Sequence, residues 1–82
     1  MMRVYKKCGQ YHVNHYDTDG EELDTVSFDG LTDTAEHVYK EWIANKTSFT
    51  VDFKDHRDRK GFGSRLTVLI AQDTGALRAK VK

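Results

Sequence analysis

Asp55–Ser64 reads DHRDRKGFGS. It separates two alternating apolar segments, and reading it as their connection fixes the second half of the fold. Before it, Phe49, Val51 and Phe53 alternate with Thr50, Asp52 and Lys54, the period of a strand. After it, Leu66, Val68 and Ile70 face one way within Arg65–Ala71, a second strand by the same rule. Ten residues is long for a hairpin connection, where about two to five is usual. From Lys54 to Arg65 the chain carries five bases and two acids, a net +3. Arg and Lys on such a loop grip phosphates, and an exposed Phe62 stacks on a base. Gly61 and Gly63 would let the backbone approach a ligand closely. The plain alternative is a solvated loop, with Asp55 and Asp58 pairing with their own arginines and Phe62 tucked beneath as an anchor. Solvation, protein contact and nucleic-acid contact all stay open for it. KGFGS is not a phosphate-binding Walker loop, because its glycines are one residue apart and no Lys-Ser/Thr pair follows them.

Toward the C-terminus, Asp73–Gly75 (DTG) reads as a turn. Leu77, Ala79 and Val81 then alternate with Arg78, Lys80 and Lys82. Lysines on an edge strand protect against edge-to-edge aggregation; beside the long loop they would instead extend it into one basic patch. Toward the N-terminus, Met2–Cys8 reads as a strand, Gly9–Gln10 as a turn, and Tyr11–Tyr16 as a second strand. DTDG (Asp17–Gly20) supplies the side-chain acceptors and positive φ of a tight hairpin. Glu22–Phe28 follows, with a bulge expected near Asp24 or Thr25 because Leu23, Val26 and Phe28 break strict alternation. Ala35, Val38, Tyr39, Trp42 and Ile43 fall at i, i+3, i+4, i+7 and i+8, one helical stripe centred on Trp42. Thr32 or Asp33 is the expected N-cap, Asp33 with Glu36 has capping-box spacing, and Asn45 is the expected left-handed stop. Glu36–Lys40 and His37–Glu41 then lie on the outer side. The expected fold is a single α+β domain over residues 1–82. It is a small antiparallel sheet with one amphipathic helix packed on it, in the order βββαβββ.

At 82 residues, 38% hydrophobic, with nine aromatics, the chain has material for one modest core. No run approaches a membrane span of about 18 apolar residues. Met1–Tyr5 contains no apolar signal-peptide core. The single cysteine, Cys8, has no intramolecular disulfide partner. The composition fits a cytoplasmic protein. The net charge of zero conceals a division. Asp17–Glu36 holds eight acids and no Lys or Arg, whereas Lys54–Lys82 holds eight bases against three acids. Such asymmetry points toward interaction surfaces.

Gly9–Ile43, GQYHVNHYDTDGEELDTVSFDGLTDTAEHVYKEWI, is three short strands and a helix. In spacing, with its G-x-Y strand start, D-G turn and aromatic-rich helix, it resembles the β-β-β-α arm-binding domain at the amino end of phage-type integrases. That resemblance implies a sheet laid in the DNA major groove by basic strands. Here the corresponding stretch is acidic and repels a polyanion, so DNA binding is not carried over with the architecture. The acids have a reading of their own. Spaced carboxylates imitate a phosphate backbone and occlude a nucleic-acid groove on another protein, against the alternative of an ordinary solvated hairpin.

Metal and catalytic readings are poorly supported by the pattern. His12 and His15 on one strand point to opposite faces and do not chelate together. HYDTDG lacks the ligands of a calcium loop, with His15 first and Val26 where the bidentate Glu belongs. Cys8 reads as a packed thiol with no base marked for it, and His37 as a solvated helix residue. The Asp52-x-Lys54 pair echoes nuclease acids without their topology. No cofactor or metal is expected, and no enzymatic activity. The expected function is that of a small accessory or inhibitory protein docking on a larger protein or nucleoprotein complex through segregated charge. In size and composition the chain is similar to small phage-encoded anti-defence proteins. The expected partner-binding residues are Lys54, Arg57, Arg59, Lys60, Phe62, Arg65, Arg78 and Lys80, with the hairpin 17–24 as a candidate second interface. The alternative is direct nucleic-acid binding by 54–65 and the C-terminal basic strand. Homodimerisation, a basic face of one copy against the acidic hairpin of another, is open.

Overall fold

The computed structural model describes residues 1–81, with side chains described through Asp73. Alternation in the first third of the chain produces three strands: β1 (Met2–Lys7), β2 (Gln10–Tyr16) and β3 (Glu22–Phe28). A helix, α1 (Leu31–Asn45), a short strand, β4 (Phe49–Asp52), and a long helix, α2 (His56–Val81), complete the order. The α+β class, with a helix packed on a small sheet, is as the sequence reads. The order is βββαβα, so the two strands expected after Asp55–Ser64 are replaced by α2.

The sheet order is β3-β2-β1-β4. β1 pairs antiparallel with β2, and β2 with β3. β1 pairs in parallel with β4, Met2 opposite Phe49 and Tyr5 opposite Asp52. The sheet is therefore mixed, not antiparallel. A hairpin reverses direction, but α1 is a crossover that returns the chain to the end from which β1 starts. Cys8 and Gly9, with φ 54° and 78°, form the β1–β2 turn, one residue earlier than the sequence suggests; two consecutive positive φ values suit the twist of a two-residue hairpin. At the β2–β3 turn the Asp17 carboxylate accepts the N–H groups of Asp19 and Glu21, both at 2.9 Å, and Gly20 has φ 85°. The expected bulge is present: His15 pairs with Asp24 and Tyr16 with Glu22, leaving Leu23 unpaired.

One face of the sheet meets the helices. Met2, Val4, Tyr11, Val13, Ala35, Val38, Phe53 and Phe62 form the core. Burying each valine, methionine or phenylalanine here contributes about 1.5–3 kcal/mol before ordering costs. Phe62 meets Phe53 and Phe49 edge-on, with centroids 5.7 and 6.2 Å apart. The α1 stripe is rotated from the expected one. Thr34, Ala35 and Val38 are buried, Trp42 is half-buried against Phe49, and Ile43 is exposed. α1 begins one residue after an extended Gly30 that has no side-chain cap, and it stops at a left-handed Lys46. Thr34 donates to the Gly30 carbonyl instead, so the Asp33–Glu36 capping box is not used.

α2 forms because Asp55 caps it. The Asp55 carboxylate accepts the Arg57 N–H at 2.8 Å, and the Asp55 carbonyl accepts the Arg59 N–H. Asp58 and Phe62 are buried, and Leu66 and Leu69 half-buried. These positions fall at i, i+4, i+8 and i+11, one helical face. A Cβ on Gly61 would lie 2.7 Å from Leu31 Cδ2. That glycine therefore permits close packing of α2 against the start of α1; it does not serve ligand approach. Arg65–Glu36 at 2.9 Å and a hydrogen bond from Tyr39 to Asp73 continue the contact farther along. Leu66, Val68 and Ile70, read as one strand face, are split by the helix: Leu66 packs on the core, while Val68 and Ile70 are exposed. Among the described residues no helix is long and apolar enough to cross a membrane.

Candidate functional site

The topology sends the acidic β2–β3 turn and the start of α2 to opposite ends of the sheet, with Asp29 and Asp33 at the end where α2 begins. β1 and β4 run in the same direction, so the Cys8–Gly9 turn, the exit of β4 and the start of α2 share one end. Lys6, Cys8, Gly9, Lys54, Asp55 and Asp58 line a shallow cavity of ≈ 270 Å³ there. The Asp17–Glu21 turn lies at the other end, beside Met1 and Ser48; the Tyr16 N–H donates to the Met1 carbonyl and the Met2 N–H to the Ser48 carbonyl. Asp17, Asp19, Glu21, Glu22 and Asp24 gather at this second end.

At the first end, Lys54, Arg57, Arg59 and Lys60 are exposed. Among the described residues none of the four has an ion-pair partner. Three of them stand in the first five residues of α2, where positive charge opposes the helix dipole. Helix stability therefore does not account for them. Asp55 and Asp58, which the plain reading pairs with their own arginines, are engaged otherwise. Asp55 is the cap. Asp58 is buried, accepts the Tyr11 hydroxyl at 2.8 Å and lies 3.4 Å from Lys6 Nζ. That contact holds the Lys6 ammonium above its ordinary pKa. Burial, then the bond to Asp58, raises Tyr11.

The remaining expected contacts divide. Phe62 is 2% exposed; its ring is core, which corrects its assignment to a partner surface and agrees with its reading as an anchor. Arg65 is committed to Glu36, so Glu36 reaches α2. The basic strand expected at 77–82 is corrected as well, since the backbone through Val81 belongs to α2. The side chains of Arg78 and Lys80 lie outside those described, and Lys82 outside the described residues. Along a helix rising about 1.5 Å per residue, residues 57 and 78 stand roughly 30 Å apart, which separates them into different regions in place of one patch.

A histidine pair went unnoticed in the sequence. His15 and His37 approach to 3.0 Å between Nε2 atoms, one ring donating and the other accepting. Phe28 packs beside them, 5.3 Å from His37 between centroids. Burial first, and then the neighbouring His15, lowers the His37 pKa below 6.5. His37 is thus half-buried between helix and sheet, not solvated. The i+3 spacing from Thr34 to His37, on the face that carries Ala35 and Val38, was the available signal. His12 points to the opposite face, toward Ser27 at 2.7 Å, as strand alternation requires. Cys8 is exposed at its turn. Among the described residues no cluster of three or more His, Cys, Asp or Glu is arranged to hold a metal.

Comparison with protein-family models, with curated proteins and with solved structures finds no match for this chain.

Proposed function

We propose that this is a non-enzymatic accessory or inhibitory protein that docks on a larger protein or nucleoprotein through its charged ends. One observation carries the reading: Lys54, Arg57, Arg59 and Lys60, without ion-pair partners among the described residues, stand at one end of the sheet, with the acidic β2–β3 turn at the other. Four exposed bases at and before a helix N-terminus cost stability, and a binding role gives them a reason to be there. Separated charge of opposite sign steers and orients a docking partner more than it strengthens the complex. Direct nucleic-acid binding by the same end of α2 is the second reading. It differs in requiring affinity that falls steeply with salt.

Affinity capture with the immobilised protein tests the proposal. Two variants accompany it, Arg57→Gln/Arg59→Gln/Lys60→Gln and Asp17→Asn/Asp19→Asn/Glu21→Gln. A saturable partner held by the wild type should be lost at least tenfold by one of them, while both keep the wild-type circular dichroism spectrum. The same partner held equally by all three proteins contradicts the reading.

A further inference from the structure

β2, β3 and α1 bring two histidines and two carboxylates together at the rim of the core. Strand alternation turns Tyr11, Val13 and His15 toward the helices. Their partners across the strand pair are Phe28, Val26 and Asp24, so the Asp24 side chain stands on the same face, beside His15. His37 comes down on His15 from α1, with ring planes 88° apart and centroids separated by 5.2 Å. Both imidazoles are half-buried. Glu41 follows His37 by one helical turn, on the same side of α1. Asp24 and Glu41 are the two acids whose charge acts on the His37 ring. Asp24 is exposed and has no ion-pair partner among the described residues.

We infer that His15, His37 and Asp24 form a binding site for a transition-metal dication of the zinc type. The two Nε2 atoms converge to 3.0 Å. Zinc–imidazole bonds of about 2.0–2.1 Å in a tetrahedral set place two ligand nitrogens about 3.3 Å apart. The rings therefore need to part by only a few tenths of an ångström to admit the ion between them. The ring that donates the present hydrogen bond shifts its proton to Nδ1 through solvent, which leaves both Nε2 lone pairs for the metal. Two donors are preset; the third, Asp24, turns inward with the ion, and water completes the shell. Imidazole nitrogen with a carboxylate oxygen suits zinc, nickel and copper, whereas magnesium and calcium take oxygens. Asp24 supplies one negative charge. Glu41, which accepts the Asn45 amide at 2.7 Å, supplies a second nearby, so a dication is neutralised. Once bound, the ion ties β2 and β3 to α1, and it stabilises the fold because the unfolded chain lacks this constellation. The site does not rest on the docking role; of the acidic end it uses only Asp24.

Calorimetric titration of the EDTA-treated, dialysed protein with zinc chloride, paired with thermal melts, tests the assignment. One ion should bind per chain, and the melting midpoint should climb with zinc concentration but not with magnesium. His15→Ala, His37→Gln and Asp24→Asn should each weaken zinc binding by about tenfold or more. His12→Ala, on the opposite face, and Cys8→Ser should leave it within about twofold. Circular dichroism of each variant separates lost binding from lost fold. Absence of zinc binding, an affinity unchanged by His15→Ala, His37→Gln or Asp24→Asn, or binding abolished by His12→Ala or Cys8→Ser overturns the assignment.

Discussion

His37 shows how one side chain couples the fold to pH. It sits on α1, facing His15 on β2, with Asp24, Lys40 and Glu41 the other charged groups near enough to act on it. Burial and the second imidazole both resist its protonation, so its folded pKa lies below the unfolded 6.5. The unfolded chain then binds more protons between those two values, and stability rises with pH through that interval. The contribution is complete above about pH 6.5 and is lost as pH falls through the depressed value. Thermal melts between pH 7.5 and 5 should show a declining midpoint, and His37→Gln should flatten that part of the profile. A profile unchanged by the substitution would remove the histidine pair from the account. In the sequence His15 was correctly placed opposite to His12 by alternation. Its partner was not legible, because that pairing depends on how α1 rotates over the sheet.

At the scale of elements, α2 separates what the sequence reveals from what it hides. β1 to β3, α1 and β4 follow from local patterns that packing did not overrule. α2 carries two conflicting patterns. Leu66, Val68 and Ile70 repeat every second residue and are rich in β-branching, while Asp58, Phe62, Leu66 and Leu69 repeat with helical period across two glycines. The second pattern prevails because Phe62 enters the core and because Gly61 admits Leu31. Asp55, the N-cap, was the local signal, hidden among its charged neighbours. The two glycines should therefore respond differently to alanine. A Cβ on Gly63 meets nothing within 4 Å, so Gly63→Ala should stabilise the protein by about 0.5–1 kcal/mol. Gly61→Ala gains the same propensity but must displace the Leu31 side chain, and should end less stable than Gly63→Ala. Urea unfolding of the two proteins checks the order; equal stabilisation would mean that the helices do not meet at residue 61.

Over the whole molecule, the charge division visible in the sequence becomes a division in space only in part. The acidic segment is split: Asp17–Asp24 lie at one end of the sheet, while Asp29 and Asp33 stand at the start of α1, the end that also carries Lys54–Lys60, and Glu36 pairs with Arg65. The basic segment does not stay together. A helix in place of two strands draws it out along one axis, takes Phe62 into the core and commits Arg65 to Glu36. Among the described side chains, the exposed bases without an ion-pair partner in this segment are Lys54, Arg57, Arg59 and Lys60. The most direct measurement of the docking claim is amide hydrogen exchange of the protein alone and in complex with its captured partner. Added protection at residues 54–60, at 17–24, or at both is the predicted result. Protection confined to the groove between α1 and α2, with both charged ends unchanged, would contradict it.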